Sequence, residues 1–217
     1  AGNGPAEPPH IILFPEVPFD EAAFLRRVKC SVEDHEYCVV VVSEGTRYRD
    51  GRLLADSGTT DAFGHKQLGG VAQVVAQLVK DKLGFKFHYA IADYLQRSAR
   101  HIASATDVKQ AYAVGKSAVE LALAGRNSIM TTIVRKSDQP YRWTIGEAPL
   151  SRVANREKIM PKRYIRADGF GITAACRRYL VPLVRGEDYP PYRDGLPDYM
   201  TLKNVSVAKK LQKKFVL

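Results

Sequence analysis

The sequence has few of the residues and patterns that mark secreted, membrane-spanning or metal-bound proteins. Its three cysteines, Cys30, Cys38 and Cys176, form no C-x-x-C pair, and an odd, widely spaced set of this kind is typical of reduced thiols. No apolar run approaches the ~18 residues of a membrane helix, and residues 1–10 lack the charged and apolar regions of a signal peptide. The five histidines show no zinc-ligand spacing. These absences predict a cytoplasmic protein with no membrane segment and no zinc site.

The composition is that of a folded globular protein and excludes a wholly disordered, collagen-like or coiled-coil chain. Apolar residues make up 45% of the chain, charged residues 26% and aromatic residues 9%, all near globular averages. A chain of 217 residues suits one domain or a large piece of a longer protein, because domains run about 100–200 residues. We therefore treat 1–217 as one unit.

The positive charge is concentrated in two places. The formal net charge is +10, from 33 Lys and Arg against 23 Asp and Glu. Residues 152–166, called here the basic segment, carry six cations and Glu157, and the tail 203–217 carries five lysines and no acid. Each region sums to +5, so the rest of the chain is neutral. Localised charge fits an anionic small molecule, an acidic partner or nucleic acid, or a solvated surface.

Short apolar runs alternate with helical patterns along the first two thirds of the chain. Strands are predicted at 11–14, 38–42, 85–92 and 129–134, with 141–145 as a hairpin partner of the last, and helices at 20–33, 66–83 and 107–124. The β-branched run 38–42 is typical of an inner strand buried on both faces. This β-α-β-α-β-α-β order predicts a parallel sheet with helices on both faces. A helical and irregular segment follows.

Charged side chains follow three of the predicted strands. Glu16 follows the first strand, Ser43-Glu44-Gly45 the second, and residues 93–100, with Arg97, the third. In an open parallel sheet these loops meet at the ligand-binding edge. Carboxylates accept hydrogen bonds from sugar hydroxyls, and guanidinium groups bind phosphate oxygens. The pattern fits a phosphorylated sugar; alternatively, Glu16 and Arg97 form an ion pair with each other.

Several longer motifs resemble the phosphofructokinase family. They are ILFPEVPF at 12–19, VVVSEG at 40–45 and YLQR at 94–97; APLSRVANREK at 148–158 and GLPDY at 195–199 are most similar to the pyrophosphate-dependent bacterial branch. The resemblance implies a phosphofructokinase-like α/β fold. It also implies a glycolytic enzyme that reversibly transfers a phosphoryl group from pyrophosphate to fructose 6-phosphate with magnesium.

The resemblance also implies which part of such an enzyme this chain is. The family's Gly-rich donor loop, its catalytic Asp in Thr-Ile-Asp and its Met-Gly-Arg motif are absent here. We therefore expect the C-terminal, substrate-binding half, without the catalytic Asp or the metal ligands. The donor site would lie in the other half, so an ATP-dependent 6-phosphofructokinase remains an alternative. A basic binding or regulatory module is the alternative from another class.

The family's binding residues map onto four positions. Glu16 matches the glutamate that contacts the sugar hydroxyls, and Arg97 matches an arginine on the 6-phosphate, with Tyr94 and Gln96 beside it. An arginine that crosses a subunit boundary in many members would fall near His88, with Lys86 close by. The resemblance also implies a homo-dimer or homo-tetramer.

Overall fold

The structure is a computed structural model that describes residues 6–60, 66–68 and 70–208. Its central unit is a parallel strand pair joined by a helix. Strand β1 (Ile11–Leu13) pairs with β2 (Val40–Val42), with Ile11 opposite Val40 and Leu13 opposite Val42. Helix α1 (Glu21–His35) connects the two strands. Because the strands are parallel and in register, both carboxyl ends lie at one edge.

Helix α1 forms where the sequence predicts it. The Asp20 side chain accepts a hydrogen bond from Ala23 N at 2.9 Å, which satisfies one of the free N–H groups of the first turn. The helix ends at Glu36, whose φ of 67° is left-handed. Phe24 and Val28, four residues apart on one face of the helix, are buried.

The hydrophobic core lies between β1, α1 and helix α2 (Val71–Leu83). Its buried apolar members come from these elements and from the loops beside them: Ile11, Leu13, Phe19, Phe24, Val28, Leu54, Ala55, Val71 and Val75. This core fixes the position of β1 and therefore of the loop that follows it.

The prediction of one helix over 66–83 is wrong at its start. Residues Lys66–Leu68 form strand β4, which pairs antiparallel with β3 (Asp56–Thr60), and α2 begins only at Val71. Hydrogen bonds to β3 replace those of a first helical turn. The predicted end is confirmed: Gly84 caps the helix with φ 71°, a conformation that glycine adopts without steric cost.

The predicted strand 85–92 is wrong. Phe85 and Phe87 are half-buried while Lys86 and His88 are exposed, so side chains alternate as in a strand. However, 85–92 forms no ladder with any described residue. Alternating apolar and polar residues predict which side chains face the protein, whereas a strand also requires a neighbouring strand with which its backbone can hydrogen-bond.

The next strand pairs differently from the prediction. Helix α3 (Leu95–Ser98), a 3₁₀ turn (Arg100–Ile102) and helix α4 (Ala105–Leu123) precede β5 (Ile129–Asp138) and β6 (Tyr141–Pro149). The hairpin of β5 with β6 is confirmed and longer than predicted. Among the described residues β5 pairs only with β6, so it does not extend the parallel sheet. The turn at 139–140 reverses the chain direction, so β6 becomes the antiparallel partner of β5.

Strand β2 is less buried than its apolar sequence predicts. Val41 is 50% exposed, and within 6–60, 66–68 and 70–208 the only strand paired with β2 is β1. The expectation of an inner strand covered on both faces is therefore wrong for the described residues, because half of Val41 remains accessible to solvent.

The last third of the chain is irregular, as predicted, and part of it contacts β1. Helix α5 (Ala174–Leu180) is followed by a 3₁₀ turn (Val181–Val184) and by the two-residue strands β7 (Tyr192–Arg193) and β8 (Leu196–Pro197). Phe170 O accepts a hydrogen bond from Ile12 N at 2.9 Å, which fastens this segment to β1. No helix in the described part of the chain is long and apolar enough to cross a membrane.

Candidate functional site

The loops that follow β1 and β2 are in direct contact. Ser43 N donates to Leu13 O at 3.2 Å, and the Thr46 hydroxyl donates to Ser43 O at 2.7 Å. Gly45 approaches Pro15 so closely that an added Cβ would lie 3.3 Å from the proline Cβ. The parallel register thus brings two of the three predicted strand-end loops together.

Glu16 lies at the tip of the first loop with an exposed side chain. One carboxylate oxygen, Oε1, accepts a hydrogen bond from the backbone N of Met160 at 2.9 Å. Met160 belongs to the basic segment, so this contact joins residues 144 positions apart. A carboxylate has about four acceptor positions, and the Met160 bond occupies one of them.

Tyr94 and Arg97, the other predicted binding residues, contact each other. The Arg97 guanidinium carbon lies 5.3 Å from the centre of the Tyr94 ring, within cation–π range. Tyr94 is 69% exposed. No carboxylate pairs with Arg97 among the described residues, so its N–H donors are available to a ligand.

Arg100, one turn further on, is paired. Its guanidinium binds the Asp188 carboxylate at 2.5 Å and also donates to the Asp188 backbone oxygen. Arg97 and Arg100 both line a cavity of about 1070 Å³ between α3, α4 and the segment 183–189. Two arginines on one wall therefore differ in availability: Asp188 neutralises Arg100, whereas Arg97 has the Tyr94 ring.

The structure brings together some of the predicted residues and not others. Tyr94 and Arg97 are in contact. No hydrogen bond or ion pair joins Glu16 to Arg97 among the described residues, so the alternative of a loop-edge pair is not seen there. Gln96 lies within α3, but its side chain is outside the described part.

Comparisons with known proteins identify the family of this chain. No protein-family model matches it. It is 61% identical over 211 residues to the pyrophosphate–fructose 6-phosphate 1-phosphotransferase of Halomonas elongata, covering 97% of this chain and 50% of that relative. The solved pyrophosphate-dependent phosphofructokinase of Marinobacter aquaeolei matches with a TM-score of 0.83 and 56% identity, over 100% of this chain and 50% of that one. The chain belongs to the phosphofructokinase family.

Within that family the chain is similar to the pyrophosphate-dependent branch. An ATP-dependent 6-phosphofructokinase of Mycobacterium bovis is only 30% identical, over 77% of this chain and 47% of that relative. The chain spans about half the length of the curated relatives it matches. The resemblance based on the motifs is thus confirmed, as is the phosphofructokinase-like α/β fold class.

Sequence reasoning missed two contacts of this phosphofructokinase segment. One is the bond from Met160 to Glu16, and the other is the Arg100–Asp188 pair. The charge of the basic segment indicates an anion-binding role but does not predict that the segment lies beside Glu16. Every residue except proline has a backbone N–H, so the bond from Met160 N cannot be predicted from the sequence.

The electrostatics beside β1 favour ionised carboxylates. Partial burial alone would raise the pKa of Asp168, but hydrogen bonds from the Arg166 side chain and Phe170 N, together with the positive charge, hold that pKa below its ordinary 3.8. Asp168 accepts from Phe170 N at 3.0 Å, and Phe170 O in turn pairs with β1.

The described residues do not offer a magnesium site. Among them, no group of three or more His, Cys, Asp or Glu side chains is placed to hold a metal ion. Magnesium in phosphotransferases is usually held by carboxylates together with substrate phosphates.

Proposed function

We propose that this chain is the C-terminal, substrate-binding half of a pyrophosphate-dependent phosphofructokinase. The complete enzyme would transfer a phosphoryl group from pyrophosphate to the 1-hydroxyl of fructose 6-phosphate and would also catalyse the reverse reaction. The proposal is supported by the names of the relatives at 61% and 56% identity and by the half-length match. Pyrophosphate is favoured over ATP because the ATP-dependent relative is only 30% identical.

The observation that carries the proposal is the state of Arg97. A guanidinium group without a carboxylate partner, held against an exposed tyrosine ring, is available to bind a phosphate with two parallel hydrogen bonds. We assign it to the 6-phosphate, with the Tyr94 hydroxyl and Gln96 as neighbouring contacts. Arg100 is excluded from this role because it already binds Asp188.

Glu16 would hold the sugar hydroxyls. Its carboxylate keeps acceptor positions free after the bond from Met160 N. Binding the phosphate at one end and the hydroxyls at the other fixes the orientation of the sugar. Binding energy realised away from the reacting atoms lowers the barrier by positioning, which is most of what phosphoryl transfer requires of a protein. The catalytic Asp and the magnesium ligands would come from the other half.

The same proposal covers assembly and location. Lys86 and His88 are exposed on an extended segment, where either side chain is accessible to a neighbouring subunit's 6-phosphate. We therefore propose a homo-dimer or homo-tetramer that acts on glycolytic sugar phosphates in the cytoplasm. The three cysteines are free thiols in the structure.

The test is fructose 6-phosphate binding to the complete enzyme carrying Arg97→Ala. Loss of hydrogen bonds between charged groups should weaken binding by about 1.5–3 kcal/mol, which is roughly 10–150-fold in Kd. The matched control is Arg126→Ala, which removes an arginine paired with Glu147 at 2.6 Å on the β5–β6 hairpin. Affinity should change less than twofold in that control. An unchanged affinity in Arg97→Ala would overturn the assignment.

A further inference from the structure

The basic segment contains cations that the rest of the described protein does not neutralise. Arg166 pairs with Asp168, and Arg163 stacks on Tyr164. No carboxylate lies within ion-pair distance of Arg152, Arg156, Lys158 or Lys162 among the residues that the structure describes. All side chains from 154 to 159 are exposed. These charges are therefore available to an anion from outside the described chain.

The segment is fixed at both ends and attached to the proposed sugar site in the middle. Just before the segment, Leu150 N donates to Ser128 O at 2.9 Å, and near its other end the Thr173 hydroxyl donates to Arg163 O at 2.7 Å. Within the described residues, the one hydrogen bond that ties the backbone of 157–160 to another part of the protein is Met160 N to Glu16. Glu16 therefore determines where this stretch lies.

Lys158 is close to this anchor. Two residues span at most about 7 Å of extended chain, so the Lys158 Cα lies within that distance of the Met160 Cα. A lysine side chain is long and flexible, and its ammonium group is a typical ligand of phosphate oxygens. Lys158 can therefore reach the region beside the Glu16 carboxylate.

We propose that Lys158 binds a phosphate oxygen of pyrophosphate, or of the 1-phosphate that pyrophosphate becomes in the product. The inference rests on the proposed function. Arg97 and Tyr94 take the 6-phosphate at one end of the sugar, and Glu16 takes hydroxyls at the other. The basic segment contacts Glu16 and has no contact with Arg97 or Tyr94 among the described residues. The anion it meets is therefore the one at the hydroxyl end.

Glu16 has a second role in this arrangement. By accepting the hydrogen bond from Met160 N, it acts as a positioning residue for Lys158 while it binds the sugar. Glu16→Gln keeps a side-chain oxygen that can accept this bond, whereas Glu16→Ala removes the acceptor. The pyrophosphate KM should therefore rise more in Glu16→Ala than in Glu16→Gln.

The test measures steady-state kinetics of the complete enzyme with Lys158→Ala. We expect the KM for pyrophosphate to rise about tenfold, the loss of one hydrogen bond to a charged group, while the KM for fructose 6-phosphate changes less than twofold. Lys158→Arg should restore most of the affinity. The matched control is Lys136→Ala, an exposed lysine on β5, which should leave both KM values unchanged.

A second measurement does not depend on activity. Trypsin should cut the exposed bond after Lys158, and pyrophosphate should slow this cut whereas fructose 6-phosphate alone should not. An unchanged pyrophosphate KM in Lys158→Ala, or a selective rise in the fructose 6-phosphate KM, would overturn the inference. If Arg97→Ala weakens sugar binding in the same preparation, only the Lys158 assignment has failed; if it does not, the proposed function has failed.

Discussion

The contact between Gly45 and Pro15 joins the two strand-end loops, one of which carries Glu16, the residue that we propose binds the sugar hydroxyls. A Cβ at position 45 would lie 3.3 Å from Pro15 Cβ and 3.4 Å from Pro15 Cγ, inside the ~3.5–4.0 Å optimum for carbon atoms. The φ of Gly45 is not left-handed, so alanine there strains the contact and not the backbone. Gly45→Ala must displace Pro15, and with it Glu16, by a few tenths of an ångström.

The size of the effect follows from that displacement. Pro15 is exposed and can move outward, so the loss in unfolding free energy should be about 1 kcal/mol or less, the low end of overpacking costs. A misplacement of about 1 Å can cost up to about 100-fold in rate. If the barrier rises in proportion to the shift, a third of an ångström costs roughly four- to fivefold in kcat/KM for fructose 6-phosphate.

The assay compares kcat/KM and the urea midpoint of the complete enzyme with and without Gly45→Ala. The control is Gly115→Ala in α4, where nothing lies within 4 Å of the added Cβ. Helix propensity predicts a gain of about 1 kcal/mol there, with unchanged kinetics. The reasoning is refuted if Gly45→Ala matches the parent enzyme in kcat/KM, because the two loops would then not form one wall of the site.

Two further predictions concern stability. Phe24 is completely buried between α1 and β1, so Phe24→Ala should lower the unfolding free energy by about 3–5 kcal/mol; urea unfolding with less than 1 kcal/mol of loss would contradict the described core. Because the folded pKa of Asp168 is depressed, its stabilisation is complete above the ordinary value of 3.8 and is lost as pH falls through the lower folded value. Asp168→Asn should flatten that acid limb of stability against pH, and an unchanged limb would exclude Asp168 as its source.

The sequence predicts best the features that depend on neighbouring residues. Helix α1 follows from Asp20 as a cap and an apolar stripe at helical spacing, and its core side chains Phe24 and Val28 are the buried ones. The end of α2 follows from Gly84. Short-range hydrogen bonds and periodicity determine these features, so a local pattern contains the information they need.

Features that depend on distant partners are predicted poorly. The alternation over 85–92 is real, yet no described residue supplies a ladder partner. Lys66–Leu68 continues an apolar helical pattern, yet pairs with β3. Strand β2 has the composition of an inner strand, yet Val41 is half exposed. In each case, whether the segment pairs or packs with residues outside it decides the outcome, and the segment's own pattern does not contain that information.

The candidate site shows the same division. The residue types at the strand ends, together with the family motifs, indicate Glu16, Tyr94 and Arg97 as binding residues. Their partners, the Met160 N–H for Glu16 and the Tyr94 ring for Arg97, emerge only once the chain is folded. The ion pair between Arg100 and Asp188, which leaves Arg100 less available to a phosphate than Arg97, also emerges only in the folded chain.

The excess of positive charge explains why a cation without a carboxylate partner marks a binding site only where other contacts also position it. Cations exceed acids by ten in this chain, so some must remain unpaired wherever they lie, and an unpaired cation alone does not mark a binding site. Arg97 and Lys158 differ from the other unpaired cations because a nearby contact limits where each can lie. Arg97 contacts the Tyr94 ring, and the hydrogen bond from Met160 N to Glu16 fixes the backbone near Lys158. A cation whose ring contact or backbone is already positioned has less conformational entropy left to lose when it binds an anion. Neutralising such a positioned cation should therefore change substrate affinity, whereas removing Lys136, which has no ion-pair partner among the described residues, should change only the net charge.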